Sequence, residues 1–134
     1  MIIVDQNEIN VEKSDEKWNY YKLEDGTTLK VKIVLIKVIE EGKDPLTNPI
    51  FGLQSSNVIG VTSPADLIGN KPIDKIEDVR FTPLNDEWNE YKLNNGLTLM
   101  LKPALSLVSR IGERDPKGIP IYIIQAQPLV KIKK

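Results

Sequence analysis

Trp18–Lys32 reads WNYYKLEDGTTLKVK, and Trp88–Lys102 reads WNEYKLNNGLTLMLK. Nine of these fifteen positions agree at a spacing of 70 residues: Trp, Asn, Tyr, Lys, Leu, Gly, Thr, Leu and Lys. Agreement resumes downstream at a spacing of 71. There Asp44-Pro45 is matched by Asp115-Pro116, Pro49-Ile50-Phe51 by Pro120-Ile121-Tyr122, and Gln54 by Gln125. One inserted residue accounts for the change of spacing. A recurring period fixes the unit from which a fold is built. The chain is therefore expected to hold two copies of one small unit, a first over 1–66 and a second over 79–134. A linker over 67–78 joins them.

Each copy reads as β structure. Asp25-Gly26 and Asn94-Asn95-Gly96 sit between alternating apolar runs, which is the local signature of a hairpin. After the first turn Leu29, Val31, Ile33 and Leu35 alternate with Lys30 and Lys32, giving one buried and one wet face. From Val34 the apolar set becomes Val34, Ile36 and Val38, so the strand is expected to bend or bulge there. Pro103 stands where the first copy has Ile33 and points to an edge or bulge at the same place. Asp-Pro then starts a turn in both copies. Between the copies, Ser63 as N-cap, Pro64 at the first helical position and Gly69 as terminator predict a single helical turn. The class is all-β, and short bent strands favour a pair of small barrels related by a pseudo-twofold axis over a flat sandwich.

Composition narrows function mainly by exclusion. The 134 residues include neither cysteine nor histidine, which removes thiol nucleophiles, disulfides, Cys/His zinc sites and histidine as general base. A net charge of −1 with charged residues at 28% describes an ordinary wet surface, not a polyanion binder announced by its overall field. The apolar opening MIIV is too short for a signal peptide or a membrane span, so a cytoplasmic setting is the default expectation. No P-loop, calcium loop, dinucleotide fingerprint or nucleophile elbow is present. Asp15-Glu16, Asp86-Glu87, Asp44 and Asp115 offer carboxylates, but their spacing does not converge two of them on one substrate. The expectation is a protein that is not an enzyme and needs no cofactor or metal.

A bent meander opening with Leu23-Glu24-Asp25-Gly26 resembles the Sm-like small β-barrels, a family related in shape to SH3 barrels. Ser55–Val61 (SSNVIGV) is similar to the last two strands of that family. The resemblance implies about one barrel per copy, assembly into rings and uridine-rich RNA as ligand. It carries no contact residue across. Val31, Ile36 and Ile39 stand in the region where the first motif has Gly, Asp and Asn. Ser55-Ser56, and Ala126-Gln127 in the second copy, replace the Arg-Gly of the second motif.

Several residues stand out as candidates for contact. Trp18 and Trp88, with Tyr20, Tyr21 and Tyr91, form either an aromatic platform or the plug of a small barrel. Because Tyr20 becomes Glu90 in the second copy, Tyr20 is expected outside, while the matched Tyr21 and Tyr91 belong to the core. Lys22, Lys30 and Lys32, with Lys37, Lys92 and Lys102, form either a basic strip or a guard against strand-to-strand aggregation, and the guard is the favoured reading. Gln54 and Gln125 either bridge strands or face solvent. Copy two is the more apolar at Leu97, Met100 and Ile123-Ile124, so Ile124 is expected at a contact between halves or subunits. The function expected is binding or assembly through strand edges and loops, with a protein partner or a second copy. The alternative is binding of single-stranded nucleic acid by the lysine strip and the C-terminal Lys131, Lys133 and Lys134.

Overall fold

In a computed structural model the chain is described over residues 7–47, 49–70 and 76–133. These residues form nine strands and one short 3-10 turn: β1 (Val11–Asp15), β2 (Asn19–Leu23), β3 (Thr28–Lys43), β4 (Pro49–Thr62), the turn Ala65–Leu67, β5 (Glu77–Asp78), β6 (Phe81–Pro83), β7 (Asn89–Leu93), β8 (Thr98–Arg114) and β9 (Pro120–Lys133). All pairings are antiparallel. One sheet has the order β4-β3-β2-β6, and the other has β1-β7-β8-β5 with β9 on the far side of β8.

Sheet membership does not follow the two halves of the chain. β1 comes from the first half but pairs with β7, setting Val11 opposite Leu93. β6 comes from the second half but pairs with β2, setting Phe81 opposite Leu23. The two pairings are the same contact displaced by 70 residues. The residues just before each strand keep to their own half: Ile9 N donates to Val38 O, and Val79 N donates to Val108 O. Each N-terminal segment thus leaves its own long strand and crosses to the other half's hairpin.

The cores are shared in the same way. One gathers Tyr21, Leu23, Leu29 and Val31 from the first half with Val79 and Val108 from the second. The other gathers Tyr91, Leu93, Leu99 and Leu101 from the second half with Ile9, Ile33 and Val38 from the first. Tyr21 and Tyr91 are 6% and 1% exposed, and Leu29 and Leu99 are fully buried, so matched positions lie in matched surroundings. The barrels expected from sequence do not close. Two open sheets form instead, because the bend in β3 and β8 carries the second part of each long hairpin into the opposite core.

That bend lies slightly later than the sequence pattern suggests. The ladder of β3 with β4 slips between Leu35 and Lys37, and that of β8 with β9 slips between Leu105 and Leu107. Ile36 is the bulged residue and is 57% exposed, not part of a buried set; burial moves from Leu29, Val31 and Ile33 to Val38. One extra residue in a strand inverts which face its side chains take. Pro103 is buried inside β8, opposite Pro128. A pair position that exchanges no hydrogen bonds is where two prolines can face each other without removing ladder bonds.

The hairpin turns follow their sequence. Gly26 and Gly96 have φ of 92° and 87°, each closing a turn in which its N–H donates to Leu23 O or Leu93 O. Asp25 Oδ1 accepts from Thr27 N, and Asn95 Oδ1 from Leu97 N. The 3-10 turn is capped otherwise than expected. Pro64 occupies the N-cap position with no side-chain bond, and Ser63 is buried, sharing a hydrogen bond with Thr27. Residues 71–75 of the linker lie outside the described residues.

Candidate functional site

Asn19 and Asn89 are matched, and each is 1% exposed. Asn19 Nδ2 donates to Glu87 O while its Oδ1 accepts from Glu87 N, at 3.0 and 2.8 Å. Asn89 Oδ1 accepts from Lys17 N at 2.6 Å, and its Nδ2 donates to Ile33 O and Tyr91 Oη. Each amide therefore binds the backbone of the opposite half. Buried polar groups must be satisfied, and these two satisfy each other's halves. They are structural staples whose only sequence signal was the match itself.

The carboxylates are used within the fold and its turns. Glu16 Oε2 accepts from Leu35 N and from Tyr91 Oη at 3.0 and 2.7 Å. Burial, reinforced by the bond to Glu16, pushes the Tyr91 phenol well above its usual range. Asp86, the counterpart of Glu16, turns outward to Lys102 at 2.8 Å. Asp44 and Asp115 cap their own turns, accepting from Leu46 N and Lys117 N. Among the described residues no group of three acidic side chains is placed to hold a metal ion.

Sequence reasoning missed a second polar cluster. Asp25, in the β2–β3 turn, accepts from Tyr122 Oη and lies 3.3 Å from the Arg110 guanidinium, which also reaches Glu77 at 3.4 Å. Thr27 shares hydrogen bonds with Ser63 and Tyr122. Burial, and then the bond to Asp25, raises the Tyr122 phenol. No local pattern joins a turn at 25 to strands at 110 and 122.

The candidate contact residues separate cleanly. Tyr20, 39% exposed, and Lys22, Lys30 and Lys32 share the outer face of the β4-β3-β2-β6 sheet, with Tyr20 opposite Lys30 and Lys22 opposite Thr28. Trp18 is half-buried at the margin of that face, with Lys30 Nζ 4.4 Å and Lys32 Nζ 5.5 Å from its ring centroid. Trp88 carries Lys102 alone, at 4.6 Å. The tryptophans do not plug a barrel. Nor do Lys22 and Lys30 guard an edge, since both lie within the β2–β3 ladder with a further strand on either side; Lys32 follows the last pair of that ladder, Asn19 with Val31, and is paired with Val58 of β4. Lys131 does lie on an edge strand, opposite Met100 on β8. Lys134 falls outside the described residues. Gln54 and Gln125 are exposed, opposite Lys37 and Leu107. Ile124 packs against the core that contains Tyr21, and Leu53 does the same in the other core, so the halves contribute alike to the contact between them.

The free strand edges differ sharply. β6 has three residues and ends in Pro83; β5 has two, both acidic; β1 carries Glu12, Lys13 and Asp15. β9 carries Pro128, Lys131 and Lys133. Such short lengths, charges and prolines are how sheets block further pairing. β4 has none of them after its first residue: PIFGLQSSNVIGVT runs 14 residues without a charge, its one proline at the first position. Ile50, Val58 and Ile59 along it are 44%, 44% and 40% exposed. Among the described residues no helix is long and apolar enough to cross a membrane. No family model, curated protein or solved structure matches the chain.

Proposed function

We propose that this chain is a non-enzymatic binding and assembly protein whose contact element is the outer edge of β4. The observation that carries the reading is the contrast between β4 and every other free edge among the described strands. An unguarded edge presents a row of N–H and C=O groups ready to accept an antiparallel strand. The occupant is a second copy. A neutral strand meets its own copy without like-charge contacts, and Ser55, Ser56 and Asn57 at its middle can hydrogen-bond across the pair. The exposed flanks of Val58 and Ile59 are covered in the same step.

The two halves descend, in this reading, from one doubled hairpin unit, supported by the displaced but identical pairings of β1 and β6. The likeness to Sm-like and SH3-like barrels is proposed for the bent meander β2–β3–β4 alone.

Light scattering tests the proposal. The intact chain is expected to run as a dimer whose mass falls to that of a monomer in Ile59→Lys, an inward-pointing charge at the edge. The matched Val130→Lys on β9 is expected to leave the mass unchanged. A chain that is monomeric at every concentration, or an Ile59→Lys variant that stays dimeric, sinks the proposal.

A further inference from the structure

Lys30 and Lys32 bring two ammonium groups over one indole ring. Among the described residues neither has a carboxylate in ion-pair range. The equivalent position in the second half is arranged differently. Met100 replaces Lys30, and Lys102 over Trp88 is already neutralised by Asp86. Two like charges held together cost free energy that only an anion or the ring can offset, and the ring supplies attraction worth about 0.5–1 kcal/mol at exposed sites. Lys30 is given room for this by Gly60. A Cβ at that position would lie 2.5 Å from Lys30 Cε and 2.9 Å from its Cγ. Lysine as an aggregation guard does not account for the pair, because Lys30 lies between β2 and β4 and Lys32, just past the β2 ladder, turns to the same ring.

On the same face Tyr20 stands opposite Lys30 with 39% of its surface open, and Lys22 follows one step along β2. We infer that the outer face of the β4-β3-β2-β6 sheet binds single-stranded nucleic acid, with Lys30 and Lys32 receiving a phosphodiester and Tyr20 stacking on a base. A charged strip beside an exposed ring is the arrangement that holds a single strand without reading its sequence. The chain's net charge of −1 does not oppose this, since attraction is set by the local field within about 10 Å at 0.1 M salt. The inference is independent of the β4 edge: these side chains project from the sheet face, and Ile59 lies on the opposite side of β4.

The test is fluorescence anisotropy with a labelled oligothymidylate of about 16 nucleotides, titrated with the intact chain at several salt concentrations. Binding that weakens with salt is expected. In Lys30→Met/Lys32→Leu the slope of log affinity against log salt is expected to fall by about 0.7, because the one phosphate the pair receives then keeps its counterion. Tyr20→Ala is expected to lose about tenfold in affinity, while Lys102→Met changes little. Circular dichroism of each variant reports that it is folded. The inference is overturned if the intact chain does not bind at low salt, or if Lys102→Met costs as much as the double change. It is also overturned if inorganic polyphosphate displaces the oligonucleotide as well as an unlabelled strand does, which would mark a generic attraction for polyanions. Ile59→Lys is expected to bind the oligonucleotide whether or not it dimerises, so the two proposals fail separately.

Discussion

The core around Tyr91 and the core around Tyr21 are built on one backbone plan, yet each is fastened by polar groups the other lacks. Around Tyr91 the fastening sits at the base of the hairpin, where Glu16, Tyr91 and Asn89 form one hydrogen-bonded run. Around Tyr21 it sits at the hairpin turn, where Asp25, Arg110 and Tyr122 meet. The counterparts of that turn cluster are Asn95, Glu40 and Phe51, and Phe51 packs on the core as an apolar ring. Apolar burial and the Asn19–Asn89 staples are thus held in common, while the polar fastening moved. A buried polar group tolerates no half-measures: unless its partner comes with it, its desolvation goes uncompensated.

The largest test of this difference is Asn89→Ala. Three hydrogen bonds end on that side chain in a buried site, so a loss of about 3 kcal/mol is expected by chemical denaturation. Asn19→Ala, with two bonds to Glu87, should lose less. Next comes Arg110→Met, which leaves the mostly buried Asp25 with Tyr122 Oη and Thr27 N as donors but no opposite charge. About 2 kcal/mol is expected, moderated because Arg110 Nε has no hydrogen-bond partner to begin with. Glu40→Met, the matched change, should cost almost nothing. A similar loss at both sites would erase the contrast.

Tyr91→Phe against Tyr21→Phe sharpens it further. The first removes a bonded hydroxyl and is expected to cost about 1 kcal/mol; the second removes one whose phenol is raised by burial and then by the charge of Asp86. The same phenols set an alkaline limit. Tyr21, Tyr91 and Tyr122 all have folded pKa values above the unfolded value of 10.0. The stability they contribute is complete below that value and is lost as pH rises towards the folded ones. A melting-temperature series from neutral pH upward should be flat until about pH 10 and then fall, with a smaller fall in Tyr91→Phe.

The smallest expected effect lies at the far turns. Thr47 has φ of 66°, while its match Gly118 has 82°. Thr47→Gly should gain up to about 1 kcal/mol by relieving a left-handed conformation. Gly118→Ala should lose more, because a Cβ there would meet Gly69 O at 2.7 Å.

Much of this was legible from short-range pattern. Alternation identified the faces of β2 and β3 with Leu29 on the buried one, Gly26 and Gly96 marked the turns, and the repeat singled out Tyr21 and Tyr91 as core. What sequence could not supply was pairing between distant segments. Nothing in VEKSD tells which hairpin β1 will join, because either ladder satisfies the same backbone groups. The same blindness hid the Asp25–Arg110 contact and led Lys22 and Lys30 to be read as edge residues, since interior and edge strands share one alternation. The late bulge at Ile36 was missed because Val34 and Ile36 are apolar on both faces of the slip.

The crossing of β1 and β6 bears on synthesis. A ribosome emits the first half before the second, yet β2 receives its outer neighbour only when Phe81–Pro83 has emerged, and β1 has no ladder until Asn89–Leu93 follows. Neither core can be filled from the leading half alone. The nascent chain must therefore wait, its greasy hairpin uncovered, until nearly all of its length is available, and both lobes then set together.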